Sequence, residues 1–187
     1  RDARGQHVAN LLAFKPQERI AEVVWFKSYD VVPYLVLATK NGLVKKTALK
    51  EFDSPRSGGL IAISLKAGDE VVAAALVNKD DELLLVSKKA MSLRFTSDDE
   101  SLRPMGRSTS GVIGMKFRAG DQLLSMSRIN SSNAQSFVFT ATDGGYGKKT
   151  PVEEYRLQGR GGIGIKAAKI DENSRGSLVS ALVISDR

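Results

Sequence analysis

Short apolar runs separated by polar turn clusters recur along the chain. Residues 71–77, 83–87 and 91–95 are rich in aliphatic and β-branched side chains, and the clusters AGD, NKDD and KKA lie before or between them. Runs of this length with such boundaries predict β-strands. No stretch of 12 residues carries the 3.6-residue apolar period of an amphipathic helix. The pattern therefore predicts an all-β protein.

The same arrangement returns about every fifty residues, each time after a glycine that precedes alternating apolar residues. The repeat glycines are Gly5, Gly59, Gly111 and Gly162, at separations of 54, 52 and 51 residues. RAGD at 118–121 also repeats KAGD at 66–69, and DGG at 143–145 predicts a hairpin turn. Regular periods of this size indicate repeat architecture. We expect one domain over residues 1–187, made of about three and a half propeller-like units with four strands each.

Each unit also carries a cation on the same predicted strand. The segments NGLVKKTALKEF, KAMSLRF and GGYGKKTPVEEY align with one another. The aligned cations are Lys46, Arg94 and Lys149, with Lys45 and Lys148 one residue before the first and the third. Because side chains alternate along a strand, Lys45 and Lys46 point to opposite faces of their sheet. In a radial arrangement these cations predict a basic rim, although lysines on edge strands also serve simply to prevent aggregation.

A second cation recurs in the turns that contain the repeat glycines. These turns read RDARG, PRSGG, RSTSG and QGRGG, and their arginines include Arg4, Arg56, Arg107 and Arg160. A chain that passes between units needs backbone angles that glycine accepts cheaply, which explains one glycine per turn. The segment QGRGGIG at 158–164 has more glycines than such a turn requires. Successive exposed amides closed by an arginine form an anion-binding nest, so this segment predicts a phosphate site, without the spacing of a nucleotide P-loop.

Composition favours a binding role over a catalytic one. The net charge of +7 and the pI near 9.7 favour polyanionic partners, of which nucleic acid is the commonest inside a cell. The absence of cysteine excludes disulfides and thiolate nucleophiles. The single histidine, His7, and the acidic pairs lie in segments that predict loops or strand edges, and Trp25 is expected in the core. The chain begins without methionine and ends in a strand-like run, so we expect a piece of a longer protein.

The segment QGRGGIG resembles the box QRRGGKG that marks the C-terminal domain of the DNA gyrase A subunit. The matching positions are Gln158, Arg160, Gly161, Gly162 and Gly164. Gly159 stands where the box has arginine, and Ile163 stands where it has lysine. The segments NGLVKKTALKEF, LRPMGRSTSGV and GGYGKKTPVEEY are similar to successive blades of that domain along the whole chain. The two departures predict a secondary box with fewer phosphate contacts.

The resemblance implies a β-pinwheel, a propeller-like disc whose four-stranded blades exchange strands with their neighbours. It implies sequence-independent binding of duplex DNA to a basic perimeter, with bending and wrapping that support negative supercoiling. Catalysis, ATP and Mg²⁺ belong elsewhere in an A2B2 holoenzyme with the rest of gyrase A and with gyrase B, so neither catalysis nor a cofactor is expected in this chain. The implied location is the bacterial cytoplasm at the nucleoid, with no membrane partner. The expected DNA-binding residues are Gln158, Arg160, Gly161, Gly162, Gly164, Lys45, Lys46, Arg94, Lys148, Lys149, Arg56, Arg107 and Arg4.

Two other interpretations stay open at this point. The C-terminal domain of the topoisomerase IV A subunit shares the blades but usually has a degenerate box. A β-propeller that binds an acidic protein would carry the same positive charge. Competition between linear duplex DNA and that protein would distinguish the last possibility.

Overall fold

The computed structural model describes residues 5–10, 12–56, 58–131, 135–167 and 175–185. Strands dominate these ranges, as the sequence predicts. They are β1 (Tyr34–Thr39), β2 (Leu43–Ala48), β3 (Val71–Val77), β4 (Glu82–Ser87), β5 (Met91–Thr96), β6 (Val112–Ile113), β7 (Leu123–Ile129), β8 (Ser136–Thr142), β9 (Gly147–Pro151), β10 (Ile165–Lys166) and β11 (Leu178–Ser185). Short 3-10 turns occupy Val8–Asn10, Leu49–Phe52 and Val152–Glu154. Within the described ranges, no helix has the length and apolar character needed to cross a membrane.

The strands form three antiparallel sheets, which we call blades 1 to 3. Blade 1 has the order β3-β1-β2-β6, blade 2 the order β7-β4-β5-β10, and blade 3 the order β11-β8-β9. Strands β3, β7 and β11 lie at one edge of their blades, and β7 contacts both of the others. This edge is therefore the inner side of the blade array, and β6 and β10 lie at the outer side.

Neighbouring blades exchange strands at their outer edges. Strand β6 follows β5 of blade 2 in the chain, yet it pairs with β2 of blade 1. Likewise β10 follows β9 of blade 3 and pairs with β5 of blade 2. The all-β propeller-like fold with strand exchange is thus confirmed. Each connection that crosses between blades runs along the outer edge, where it carries the glycine-rich turns.

The hairpins place the predicted repeat cations in one register position. Their cross-strand partners occupy equivalent positions as well, and the pairs are Val36↔Lys46, Leu84↔Arg94 and Phe139↔Lys149. The hairpin turns are equally alike, because Gly42, Ala90 and Gly145 all adopt a positive φ. Ala90 does so at 59°, a conformation that costs a residue with a side chain more than it costs glycine.

The core lies between blades rather than within one sheet. One cluster joins blade 1 to blade 2 and includes Val36, Val44, Leu85, Phe95 and Met115, all at most 1% exposed. A second cluster joins blade 2 to blade 3. It includes Leu84, Val86, Val138, Leu178 and Ala181. The hairpin of blade 2 therefore buries both faces, which explains its nearly continuous apolar sequence.

The strand register shows that Gly164, and not Gly162, is the repeat glycine of the last turn. Val112 pairs with Val44, and Ile165 occupies the equivalent place opposite Ser92. Gly164 is consequently the counterpart of Gly111, two residues beyond the Gly162 chosen by the sequence alignment. A Cβ on Gly111 would lie 2.5 Å from the carbonyl oxygen of Val44, and one on Gly164 would lie closer still to that of Ser92. With this register, Arg107 and Arg160 occupy equivalent positions.

The core position expected for Trp25 is wrong. Its side chain is 79% exposed, and Val23 beside it is 74% exposed. Residues 17–33 form no strand in the structure, although their sequence resembles that of β3. Without a sheet to bury one face, alternation of apolar residues gives no core position.

Candidate nucleic-acid interface

Lys46 lies inside the protein, not on an exposed rim as the sequence suggested. Its side chain is 0% exposed, and its Nζ donates to the carbonyl oxygen of Ser97 at 2.6 Å and to Asp99 Oδ1 at 2.9 Å. Both acceptors lie on the connection that follows β5 and leads to β6. The correction has a plain physical reason: the outer face of β2 is covered by the next blade's connection, and the lysine satisfies that connection's buried carbonyl.

Arg94 has the same position one blade later and the same kind of partners. Its Nη1 donates to the carbonyl oxygens of Val152 and Tyr155, each at 3.0 Å, and its Nε donates to Glu82 Oε2 at 2.5 Å. The side chain is 17% exposed. The carboxylate of Glu82 offsets the charge of this largely buried guanidinium, so Arg94 is also corrected from an exposed rim position to a contact between blades.

Lys149, the third member of the series, is exposed. Its Nζ lies 3.8 Å from the centroid of the Phe137 ring. In blade 1 the equivalent ring is Tyr34, whose centroid is 4.6 Å from Lys46 Nζ, and in blade 2 the equivalent residue is Glu82. A ring face and a carboxylate both stabilise a cation, which explains why either is found beside this position.

Lys45 is buried beneath the connection that carries Arg107. Its Nζ donates to the carbonyl oxygens of Ala62, at 2.5 Å, and of Arg107. Burial lowers the pKa of Lys45 to about 8, with a smaller opposing effect from Glu51 and a further lowering by Arg107. The exposed position expected for Lys45 is therefore wrong as well, because the strand's other face is covered by these loops.

The box, residues 158–164, lies at the surface of the outer edge. Gly159, Arg160 and Ile163 are exposed, and the remaining glycines are half-buried. Its start and its middle are fixed by the main chain, since Gln158 N donates to Arg94 O and Gly161 N donates to Gly114 O, each at 2.8 Å. Gly161 and Gly164 adopt φ values of 87° and 81°, which only glycine accepts cheaply. An anion can thus approach this turn from solvent.

The amide nitrogen of the Gln158 side chain lies inside the protein. This nitrogen, Nε2, is buried and has no acceptor within the described residues. The main chain of Gln158 fixes the start of the box, and the DNA contact of its half-buried side chain stays a prediction.

Arg160 is held in a fixed orientation by neutral acceptors. Its Nε donates to Ser101 O at 2.7 Å and its Nη1 donates to Ile113 O at 2.6 Å. It lines a surface groove with Arg103 and with Asp99, and Asp99 is already bound by Lys46. Carbonyl acceptors do not neutralise the guanidinium, and the exposed carboxylate of Glu100 lines the same groove. The charge remains available to an anion in the groove.

The structure brings Arg56 and Arg107 together. Both line one outer groove of about 600 Å³ with Glu51, Gly106 and Ser108. Arg107 is the counterpart of Arg160 in the preceding connection. Two successive connections thus present an arginine at the same place on the outer edge.

Lys148 lies on exposed strand β9, in a third group of cations. It lines a cavity of about 580 Å³ together with Lys166, Arg175 and Glu154. Tyr155 also lines this cavity, and burial raises the pKa of its hydroxyl. Arg4, the last of the predicted contacts, lies outside the described residues.

Two cations near the predicted site are missing from the sequence prediction. Arg103 shares the groove of Arg160, and exposed Lys116 is joined to the box through its main-chain N, which donates to Gly162 O at 2.8 Å. Arg103 could have been found from the sequence, because it lies four residues before Arg107 in RPMGR. No sequence signal points to Lys116, because only the fold brings it beside a turn 46 residues later in the chain.

Comparison with known proteins decides the family. A sequence model of the family described as DNA gyrase C-terminal domain, beta-propeller, matches residues 33–78, 81–130 and 136–185. The chain belongs to this family. Each matched segment contains one hairpin and its inner strand, and the second and third segments also contain β6 and β10, the strands that pair with the preceding blade.

Curated relatives and solved structures agree with the gyrase family. The DNA gyrase A subunit of Streptomyces coelicolor is 65% identical over 100% of this chain, and that of Mycolicibacterium smegmatis is 57% identical over 100%. The chain spans 22% of the length of each. A solved DNA gyrase A C-terminal domain matches with a TM-score of 0.85 and 28% identity, over 98% of this chain and 60% of that one.

A solved topoisomerase IV C-terminal domain is similar in fold alone. It matches with a TM-score of 0.65 and 22% identity, over 97% of this chain and 71% of that chain. The family model and the curated relatives confirm the resemblance to the DNA gyrase family.

Proposed function

We propose that this chain binds duplex DNA along the outer edge of its blades and bends it, as part of a gyrase. The observation that supports this most directly is the exposed box, in which Arg160 is held by neutral carbonyl groups beside a glycine turn that opens to solvent. Relatives that match all of this chain, and a solved structure that matches 98% of it, are named DNA gyrase, which adds support from the family.

The proposed surface consists of the cations that the structure leaves at the outer edge. Lys45, Lys46 and Arg94 are not included, because their donors are bound inside the protein. The proposed contacts are Arg56, Arg107, Arg160, Lys148 and Lys149, joined by Arg103 and Lys116. The half-buried glycines Gly161, Gly162 and Gly164 shape the turn and let a phosphate approach its main chain.

The proposed mechanism is electrostatic and mechanical. A cation that neutralises a phosphate releases a condensed counterion, so the logarithm of affinity falls with that of salt by about 0.9 per contact. Bending a site of 20–30 base pairs by 40–90° costs on the order of 1–6 kcal/mol. One loop does not supply that energy, whereas arginines repeated on successive connections hold the curve at several points.

In the intact enzyme, this bending presents DNA to the strand-passage machinery and supports negative supercoiling. The partners are gyrase B and the remainder of gyrase A, in an A2B2 assembly in the bacterial cytoplasm at the nucleoid. ATP and Mg²⁺ act in those other parts, and this chain contributes no catalytic group.

A bending assay tests the proposal. The full-length protein is mixed with a linear duplex that carries a fluorophore at each end, and energy transfer reports the distance between the ends. The variant Arg107→Gln with Arg160→Gln is expected to lose most of the bending, because these equivalent arginines hold neighbouring points of the curve. Lys27→Gln, which removes an exposed lysine outside the blades, is the matched control. Equal bending by both variants would refute the proposed surface.

A further inference from the structure

The two buried repeat cations share an arrangement that their burial alone does not explain. Each holds the following connection twice, once with its side chain and once with its own carbonyl oxygen. Lys46 O accepts from Met105 N and Arg94 O accepts from Gln158 N, both at 2.8 Å. The side chains of the same two residues bind carbonyls a few residues earlier in those connections.

Both held segments lead directly to an arginine of the proposed surface. Met105 is two residues before Arg107, and Gln158 is two residues before Arg160. Arg94 holds the second segment closely, because its guanidinium binds Val152 O and Tyr155 O and its main chain forms a parallel bridge with Leu157. The path of the chain from residue 152 to residue 158 is thus fixed by one residue.

We propose that Arg94 is a positioning residue for the box, and that Lys46 has the same role for the connection that carries Arg107. The proposal rests on the proposed function for its effect on DNA. Arg94 binds no phosphate itself. It sets where Arg160 lies on the outer edge, so that neighbouring connections present their arginines at matching places.

The chain contains its own indication of which substitution is tolerated at position 94. Lysine occupies the equivalent position in blade 1, where its Nζ reaches one carbonyl and one carboxylate of the next connection. Arg94→Lys is therefore expected to retain the contact, whereas Arg94→Met keeps the apolar length and loses every donor. Arg156→Gln, at an exposed arginine on the same segment, is the matched control.

Hydrogen exchange in the full-length protein tests the positioning directly and without DNA. Arg94→Met is expected to speed exchange of the amides of Gln158 and Gly161 by about tenfold or more, the size expected when hydrogen bonds from a charged group are lost. Arg94→Lys restores slow exchange and Arg156→Gln leaves it unchanged. If Arg94→Met does not fold, Arg94→Gln, too short to reach both carbonyls, replaces it. Unchanged exchange in the folded variant overturns the proposal.

A double-mutant cycle in the bending assay then separates positioning from direct contact. Arg94→Met is expected to lower bending as much as Arg160→Gln does, and to add nothing when Arg160 is already glutamine, because both changes remove the same contact. Independent, additive losses would show that Arg94 acts by itself and would overturn the proposal. If Arg160→Gln leaves bending intact, the box assignment fails, and the exchange measurement still decides whether Arg94 positions the loop.

Discussion

Two glycines of the box make a matched test of its local structure. Gly164 adopts a φ of 81°, and a Cβ there would run into the carbonyl group of Ser92 on the neighbouring strand. Gly159 has no positive φ, and a Cβ there meets nothing within 4 Å. Alanine is therefore expected to be destabilising at position 164 and nearly neutral at position 159, although the two residues lie in the same turn.

The expected loss for Gly164→Ala follows from two contributions. A left-handed conformation costs a residue with a Cβ about 1–2 kcal/mol. The clash is with main-chain atoms, so β10 must move away from β5, and each hydrogen bond given up there costs on the order of 1 kcal/mol. Together these reduce the free energy of unfolding by about 2–4 kcal/mol.

Urea unfolding of both variants, followed by the circular dichroism of the strands, measures the difference. We expect a lower midpoint with an unchanged slope for Gly164→Ala, and a change within about 0.5 kcal/mol for Gly159→Ala. Equal midpoints for the two variants would refute the register that makes Gly164 the counterpart of Gly111.

Substitutions at the box and at the buried lysines have equally definite expected outcomes. Gly159→Arg with Ile163→Lys places two cations at exposed box positions. A binding titration is expected to show a slope of log affinity against log salt that is steeper by about 1.8. An unchanged slope would show that the box does not contact DNA. Because burial lowers the pKa of Lys45 to about 8, the unfolded chain binds the extra proton above that pH, so stability is expected to rise between pH 8 and 10.5 by about 1–2 kcal/mol after solvent screening. Unfolding curves of Lys45→Leu, which lacks the titrating group, are expected to lose that rise, and its persistence would contradict the assignment. Lys46→Met leaves a buried carbonyl without a donor and is expected to lower the free energy of unfolding by about 2 kcal/mol, measured by thermal unfolding. Lys50→Met, at an exposed ion pair, is expected to leave the free energy of unfolding unchanged.

The sequence predicts the strands and the repeat well, because both depend on local patterns. Apolar runs between turn clusters give the hairpins, and aligning the hairpins puts Lys46 and Arg94 in equivalent positions, as the register confirms. Which glycine of each turn lies against the neighbouring strand depends on more than the local sequence pattern. Glycines are frequent in QGRGGIG, and only the pairing of β10 with β5 identifies Gly164 as the one that the close approach requires.

The surroundings of the cations could not be predicted, because their partners are far away in the sequence. Lys46 binds a carbonyl 51 residues later, and Arg94 binds one 61 residues later. A repeated cation on a strand has the same sequence pattern whether it faces solvent or holds the next blade. The exposed segment around Trp25 illustrates the opposite error, since a strand pattern buries nothing unless a sheet receives it.

The cations left at the outer edge, and not those held between blades, are proposed to form the surface for duplex DNA. The dependence of affinity on salt distinguishes the two groups, with the full-length protein in which Arg107, Arg160, Lys148 and Lys149 are all glutamine. We expect the slope of log affinity against log salt to become shallower by about 0.9 for each cation that contacts a phosphate, while Lys27→Gln keeps the parent slope. A quadruple variant whose slope equals that of Lys27→Gln would contradict the proposed surface.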